Sequence, residues 1–176
     1  VLLTKALGVG VYSAAIKRAT LDEAGYRDFI ATTTLLNRIG TDLAADPAVH
    51  ALTDVTGFGI LGHGLEIARG AGLTLALEAD ALPLLPQAEA LARAGAVTGA
   101  SHRNWAAFGE AVDLPADLPE WRRHLLTDPQ TSGGLLVTCS ADRADAILAR
   151  VRAAGYPAAA RIGRIEPGPA RIRVAA

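Results

Sequence analysis

Two polar, glycine-containing segments carry the residue types that could perform chemistry. The first, residues 53–63, has the sequence T-D-V-T-G-F-G-I-L-G-H and connects a predicted strand to a predicted helix. An aspartate at the end of a strand can bind Mg²⁺, because this hard cation prefers carboxylate, phosphate and water oxygens. The N–H groups at a helix start attract anions, and glycines let the backbone approach a phosphate closely. On this interpretation Asp54 is a candidate metal ligand, and Thr56, Gly57 and Gly59 are candidate cofactor-binding residues.

The same segment also has a purely structural interpretation. Asp54 or Thr56 could cap the following helix, while the glycines serve only helix packing. The residues alone leave both interpretations open. The segment is neither a P-loop nor a dinucleotide-binding fingerprint, because the patterns GxxxxGK[ST] and GxGxxG are absent.

The second segment, residues 128–134, has the sequence D-P-Q-T-S-G-G and precedes an apolar strand. Its proline and paired glycines predict a sharp turn. It could be a binding loop or a hydrogen-bonded structural turn, and the local pattern does not separate these. Ser132 lacks the G-x-S-x-G pattern of a hydrolase nucleophile, which argues against a serine hydrolase.

The remaining candidates for chemistry are weaker. The four histidines show no spacing typical of a metal site, so they are expected to be surface or core residues. Cys139 lies in an apolar strand, where an inert buried thiol is expected. It is the single cysteine, which excludes an intrachain disulfide and a zinc finger.

Composition excludes several classes of protein. The chain has 176 residues, 51% of them hydrophobic, which excludes wholesale disorder. Its formal net charge of −1 gives no support to a nucleic-acid-binding or membrane-surface protein. No uncharged apolar run is long enough to span a bilayer, and no signal peptide is visible. The sequence contains no methionine and opens on an apolar strand pattern, so we expect a fragment of a longer protein.

The predicted elements indicate an α+β protein. Helical spacing or alanine content predicts helices over 11–18, 22–38, 58–69, 87–94 and 142–154, with Gly70 ending the third. The last of these helices is expected to pack on the sheet through Ala146, Ile147 and Val151. Apolar runs predict strands over 1–5, 49–53, 73–78, 135–139, 160–165 and 171–174, the last two joined by a hairpin-like turn at 167–169. Residues 95–119 are expected to form a long loop that could include one helical turn. We therefore expect one domain over 1–176, with a mixed sheet of four or five strands covered by helices.

Together the segments resemble the selenophosphate synthetases, also called selenide, water dikinases. Residues 54–63 resemble the family's D-V-T-G-F-G-L-L-G-H segment, and residues 128–136 match its D-P-Q-T-S-G-G-L-L segment. Residues 3–8, L-T-K-A-L-G, resemble the L-T-K-P-L-G that opens the family's C-terminal half. The order and spacing agree, and the resemblance spans essentially the whole chain.

The resemblance implies a two-domain enzyme of which this chain is the C-terminal domain. The reaction would convert ATP, selenide and water into selenophosphate, AMP and phosphate. Asp54 would help to bind the Mg²⁺ ions on ATP, alongside aspartates of an N-terminal ATP-binding domain. That absent domain would hold the catalytic cysteine or selenocysteine and form a homodimer, so no catalytic residue is expected in this chain and the chain alone is expected to be inactive.

The resemblance leaves two other hypotheses. The chain could belong to another kinase or ligase of the wider superfamily that includes aminoimidazole ribonucleotide synthetase, or it could be a non-catalytic interaction module with the same fold. On the leading hypothesis the partners are the N-terminal domain and selenide or a selenium donor, and the protein is cytoplasmic, with no nucleic acid or membrane involved.

Overall fold

The computed structural model describes residues 1–175, which form α-helices and β-strands in mixed order. The helices are α1 (Val9–Lys17), α2 (Glu23–Thr34), α3 (Ile39–Ala44), α4 (Gly59–Ala71), α5 (Ala88–Arg93), α6 (Gly99–Phe108), α7 (Glu120–Leu126) and α8 (Ala144–Ala153). The strands are β1 (Leu2–Leu3), β2 (Val49–Asp54), β3 (Thr74–Glu78), β4 (Val112–Asp113), β5 (Leu135–Cys139), β6 (Ala160–Arg161), β7 (Gly163–Glu166) and β8 (Ile172–Ala175). Among residues 1–175, no helix combines the length and apolar character that a membrane span requires.

The strands form two four-stranded sheets. The first has the order β2-β5-β1-β6, with every pair antiparallel. The second has the order β4-β8-β3-β7 and is mixed, because β3 runs parallel to β8 and antiparallel to β7. The expected mixed α/β architecture with helices covering sheet is confirmed, although the strands divide between two sheets. Local periodicity identifies a strand but not its partners, which lie far away in the sequence.

The hairpin predicted at 167–169 is wrong. β7 and β8 do not pair with each other, because β3 lies between them. β8 pairs in parallel with β3, so the chain passes across the end of β3 before entering β8.

The long loop predicted over 95–119 is also wrong, because it contains α6. The Thr98 side chain accepts a hydrogen bond from the Ser101 backbone N–H at 3.2 Å and caps this helix. The fully buried residues of α6 are the polar Ser101 and Asn104, and the partly buried Trp105 and Phe108 on the same face pack against the core. The inward face therefore mixes polar and aromatic residues, which weakens the apolar pattern in the sequence.

Two predicted helix ends also differ from the structure. The helix predicted over 22–38 ends at Thr34, and α3 follows as a separate helix. Gly70 lies inside α4, which ends at Ala71 and is capped by Gly72 with the left-handed φ of 66° that favours glycine.

The first sheet buries both of its faces. Leu3 and Leu136 face a core shared with α4 and the second sheet, whereas Leu2 and Val137 face the opposite side. This alternation follows from the two-residue period of a strand. α3 and α8 cover the opposite side, so the first sheet is the middle layer of the protein.

The buried face of α8 contains Ile147 and Val151, as the helical spacing predicted. Ala146 was expected on that face but is exposed, and Ala144 is buried there instead.

Replacing Ile147 with Asp should lower the free energy of unfolding by about 3 to 5 kcal/mol, because it buries an unpaired charge. The matched control is Ala146→Asp, which introduces the same charge one residue earlier on the exposed side of α8 and should change stability little. Denaturant titration of the two variants measures the difference, and equal stabilities would contradict the packing of α8.

Side chains of segment 128–134 accept hydrogen bonds from the backbone at the start of α1. Asp128 Oδ2 accepts hydrogen bonds from the backbone N–H groups of Gly10 at 2.9 Å and Val11 at 3.2 Å. Gln130 Oε1 accepts from the N–H groups of Gly8 at 3.2 Å and Val9 at 3.1 Å. These four donors have no acceptor within the helix itself. For Asp128 and Gln130 the structural-turn interpretation is therefore the correct one.

The burial of Asp128 makes its protonation dependent on folding. Burial raises the pKa of Asp128 from 3.8 to about 7, against the opposing effect of its hydrogen bonds from Val11, Gln130 and Gly10. The folded state therefore binds a proton that the unfolded chain releases between these pH values. The stability that Asp128 contributes is full at low pH and is lost as the pH rises towards 7.

Replacing Asp128 with Asn should flatten this dependence, because the amide does not titrate while its oxygen can still accept the α1 hydrogen bonds. The decrease in unfolding free energy between pH 4 and 7 should be smaller in this variant than in the unmodified chain. The control is Asp22→Asn, at the exposed cap of α2, where the pKa of the carboxyl is lowered by its hydrogen bond from Gly25, so that it titrates below this range. An unchanged pH profile in Asp128→Asn would contradict the assignment.

Candidate functional site

Asp54 ends β2 and begins the turn that leads into α4, here called the Asp54 turn (residues 54–59). Its strand partner is Leu135, the first residue of β5. The Asp54 side chain is exposed, and its carboxylate makes no ion pair or hydrogen bond within residues 1–175. The N-cap residue of α4 is Phe58, which makes no side-chain capping bond. The alternative in which Asp54 or Thr56 caps this helix is therefore wrong, and the Asp54 carboxylate is free to bind a ligand.

Thr56 instead contacts the body of α4. Its Oγ1 lies 3.1 Å from His63 Nε2, and His63 Nδ1 lies 3.0 Å from Glu66 Oε2. The ring of Phe58 lies tilted against the His63 ring, with 5.6 Å between their centroids. His63 is thus a buried residue with both ring nitrogens in contact with polar groups.

The two glycines of the Asp54 turn have different surroundings. Gly57 is exposed, and a Cβ atom there would meet no atom within 4 Å. Gly59 is buried, has a φ of +67°, and lies so close to the Thr127 backbone that a Cβ would come within 2.8 Å of it. Gly57 is therefore open to a ligand, whereas Gly59 sets the shape of the turn.

The two segments singled out in the sequence lie side by side. Val55 N–H donates to the Gly134 carbonyl at 2.8 Å, and Gln130 N–H donates to the Thr56 carbonyl at 3.0 Å. The buried Asn104 of α6 donates through Nδ2 to the Gly57 carbonyl at 2.8 Å and to the Thr127 carbonyl at 3.0 Å. Asn104 was missed in the sequence because the region around it was interpreted as a loop.

Lys5 is a second residue that the sequence analysis did not assign. It is 3% exposed, and its Nζ donates to the carbonyls of Ser132 at 2.7 Å and Leu35 at 2.5 Å. Burial lowers the pKa of Lys5. Asn37 donates to the neighbouring Gly133 carbonyl at 2.8 Å, so two polar side chains anchor the turn of segment 128–134. Its buried role could have been predicted, because Lys5 is a charged residue within an apolar strand pattern.

The residues of the Asp54 turn fit part of a magnesium site. No group of three His, Cys, Asp or Glu residues within 1–175 is placed to hold a metal ion. Mg²⁺, however, is often bound by one or two carboxylates, with phosphates and water completing its octahedron. The exposed, unpartnered carboxylate of Asp54 suits one position of such a site, and the other ligands would come from outside these residues.

Known proteins with similar sequences are selenide, water dikinases. That of Rhizobium meliloti (strain 1021) is 60% identical over 173 residues, which cover 98% of this chain and 50% of the relative. That of Burkholderia pseudomallei (strain K96243) is 58% identical over 173 residues, covering 98% of this chain and 49% of the relative. The resemblance to selenophosphate synthetases is confirmed, and the chain spans about half the length of these curated relatives.

Solved structures share the fold at lower identity. The hydrogenase maturation protein HypE of E. coli superposes with a TM-score of 0.68 at 18% identity, over 99% of this chain and 45% of that one. A HypE crystallised with ATP superposes with a TM-score of 0.62 at 18% identity, over 98% of this chain and 46% of that one.

A protein-family model matches nearly the whole chain. The model described as AIR synthase related protein, C-terminal domain, matches residues 1–175. The chain therefore belongs to the AIR synthase related proteins, as a member of their C-terminal domain family.

Proposed function

We propose that this chain is the C-terminal domain of a selenophosphate synthetase that converts ATP, selenide and water into selenophosphate, AMP and phosphate. The observation that carries the proposal is the 60% identity to a selenide, water dikinase over 98% of the chain. The exposed Asp54, which caps no helix, supports it, because a carboxylate left without an internal partner is available for a ligand.

The proposal includes a second half of the protein. The chain matches about half of each relative, which is consistent with an N-terminal domain of similar size. That domain would bind most of the ATP, supply the nucleophile and further metal ligands, and form a homodimer. The selenium substrate would be selenide or a selenium donor, and we place the enzyme in the cytoplasm.

In this enzyme the chain would cover the phosphate end of the ATP cleft. Magnesium ions bound there would neutralise the triphosphate and stabilise charge on the transferred phosphoryl group. The Asp54 carboxylate would supply one oxygen ligand, and the open surface at Gly57 leaves room for phosphate oxygens. The hydrogen bonds between the Asp54 turn and segment 128–134 would keep that carboxylate in position.

A different kinase or ligase of the same superfamily is the second candidate. The ATP-bound HypE shares the fold, which supports ATP as the nucleotide but does not identify the acceptor. Selenide-dependent AMP formation by the full-length protein would support the first candidate. ATP hydrolysis at a rate that does not depend on selenide would support the second.

Replacing Asp54 with Asn in the full-length protein should abolish most activity and leave the melting temperature unchanged. Asn keeps the shape of the side chain but removes the charge that Mg²⁺ requires, so added Mg²⁺ should restore part of the activity. AMP formation at several Mg²⁺ concentrations provides the measurement.

The matched control is Asp117→Asn, which removes an exposed carboxylate in the segment before α7. It should retain normal activity at every Mg²⁺ concentration. Near-normal activity of Asp54→Asn at ordinary Mg²⁺ would refute a ligand role for Asp54.

The 176-residue chain by itself should form no AMP from ATP and selenide. It contains no candidate nucleophile, no P-loop and, within residues 1–175, no cluster of metal-binding side chains. The full-length protein is measured in parallel. Selenide-dependent AMP production by the purified chain would contradict the proposal that an N-terminal domain supplies the nucleophile and the further metal ligands.

A further inference from the structure

The backbone of the Asp54 turn is hydrogen-bonded to the rest of the protein at residues 55, 56 and 57. Segment 128–134 supplies the first two of these bonds through its own backbone. The third comes from Asn104 of α6, whose Nδ2 donates to the Gly57 carbonyl at 2.8 Å. Among residues 1–175, Asn104 is the only side chain remote in the sequence that bonds to the backbone of this turn.

Asn104 joins the Asp54 turn to the end of α7. Its side chain is buried, and the same Nδ2 also donates to the Thr127 carbonyl at 3.0 Å. Carbonyl oxygens only accept hydrogen bonds, so both contacts require the NH₂ group of the amide rather than its oxygen. The Thr127 backbone in turn packs against Gly59, where it leaves no room for a Cβ atom. The turn is therefore fixed against α7 on the side that faces the interior.

The contact with Asn104 determines which way the Gly57–Phe58 peptide faces. Residues 1–175 contain no cis peptide bond, so the carbonyl and the N–H of this peptide point in opposite directions. Because the Gly57 carbonyl points to Asn104, the Phe58 N–H points away from it. Gly57 and Phe58 are both exposed, and the Phe58 N–H has no acceptor within residues 1–175. A glycine permits many backbone conformations, so the residues of the turn alone would not select this orientation.

We propose that Asn104 is a positioning residue for nucleotide binding, because it directs the Phe58 N–H towards a phosphate oxygen of the bound nucleotide. The inference rests on the proposed function, in which the open surface at Gly57 faces the phosphates of ATP. A phosphate oxygen accepts hydrogen bonds and therefore needs a donor. The reversed peptide would present the Gly57 carbonyl oxygen instead, whose partial negative charge repels phosphate. Because Asn104 fixes the donor before the nucleotide binds, no reorganisation of the turn is required.

A purely structural role of Asn104 makes a different prediction. If Asn104 only joined the turn to α6 and α7, its loss would lower stability and leave nucleotide affinity unchanged. Ser101 provides the matched control, because it is a buried polar residue one turn earlier on α6. Its hydroxyl lies 2.7 Å from Thr127 Oγ1 and donates to the His124 carbonyl at 3.1 Å, but it does not contact the Asp54 turn. Ser101→Ala therefore removes buried hydrogen bonds of α6 without changing the contact with Gly57.

The first measurement follows amide hydrogen exchange in the full-length protein labelled with ¹⁵N at phenylalanine. The Phe58 signal is assigned by its loss in Phe58→Leu. Saturation with Mg²⁺ and the β,γ-methylene analogue of ATP should slow exchange of the Phe58 N–H at least about tenfold, since the N–H gains an acceptor. Adenosine, which has no phosphate, should leave the rate unchanged. An unchanged rate with the ATP analogue, or equal slowing by adenosine, would overturn the inference.

The second measurement determines the affinity for the same analogue by calorimetry, together with the melting temperature of each variant. Asn104→Ala should bind roughly 10- to 100-fold more weakly than the unmodified protein and should lose the slowed exchange at Phe58. Asn104→Ser, whose side chain is shorter but polar, should weaken binding in the same direction and serves if Asn104→Ala does not fold. Ser101→Ala should lose stability but keep its affinity. Equal affinities of the Asn104 variants and Ser101→Ala would overturn the inference.

The two levels of the proposal fail separately in these measurements, because neither exchange nor affinity needs turnover. Absence of selenide-dependent AMP formation by the unmodified protein would reject the proposed function. Unchanged affinity of the Asn104 variants in an enzyme that does form AMP would reject only the positioning role of Asn104.

Discussion

The start of α1 brings four consecutive backbone N–H groups into the interior, and the structure depends on the acceptors that segment 128–134 supplies. Asp128 and Gln130 accept these four hydrogen bonds. The chain then continues directly into β5, which pairs with both β1 and β2. The same segment also contacts the Asp54 turn, through Gln130 N–H and the Thr56 carbonyl. One set of polar contacts thus positions α1, the first sheet and the candidate site relative to one another.

Two aspartates in similar sequence contexts have different environments in the structure. Asp128 is buried, fully engaged with α1 and Gln130, and has a pKa raised to about 7 by that burial. Asp54 lies at the end of β2 with an exposed carboxylate. Both begin a turn that follows an apolar element, and their sequence contexts look equally suited to chemistry. The contacts assign Asp128 to folding, whereas the ligand role of Asp54 stays a prediction.

The sequence predicted those parts of the structure whose signal is local. β2, β3 and β5 follow from apolar runs, and the buried Ile147 and Val151 of α8 follow from helical spacing. Helix α6 was not predicted because its two fully buried residues, Ser101 and Asn104, are polar. The division into two sheets was not predicted because strand pairing is a long-range property. Residues 54–59 were singled out from residue types alone, and their role in a site stays a prediction. Glu66 was missed, although its three-residue spacing from His63 on a predicted helix could have indicated the contact.

The central claim is that this chain contributes Asp54 to a magnesium site completed by another part of a longer enzyme. A crystal structure of the full-length protein with Mg²⁺ and a non-hydrolysable ATP analogue tests it most directly. We predict an Asp54 carboxylate oxygen at about 2.0–2.1 Å from a magnesium ion that also contacts the nucleotide phosphates. An ordered nucleotide and its magnesium ions with Asp54 still facing solvent would contradict the account.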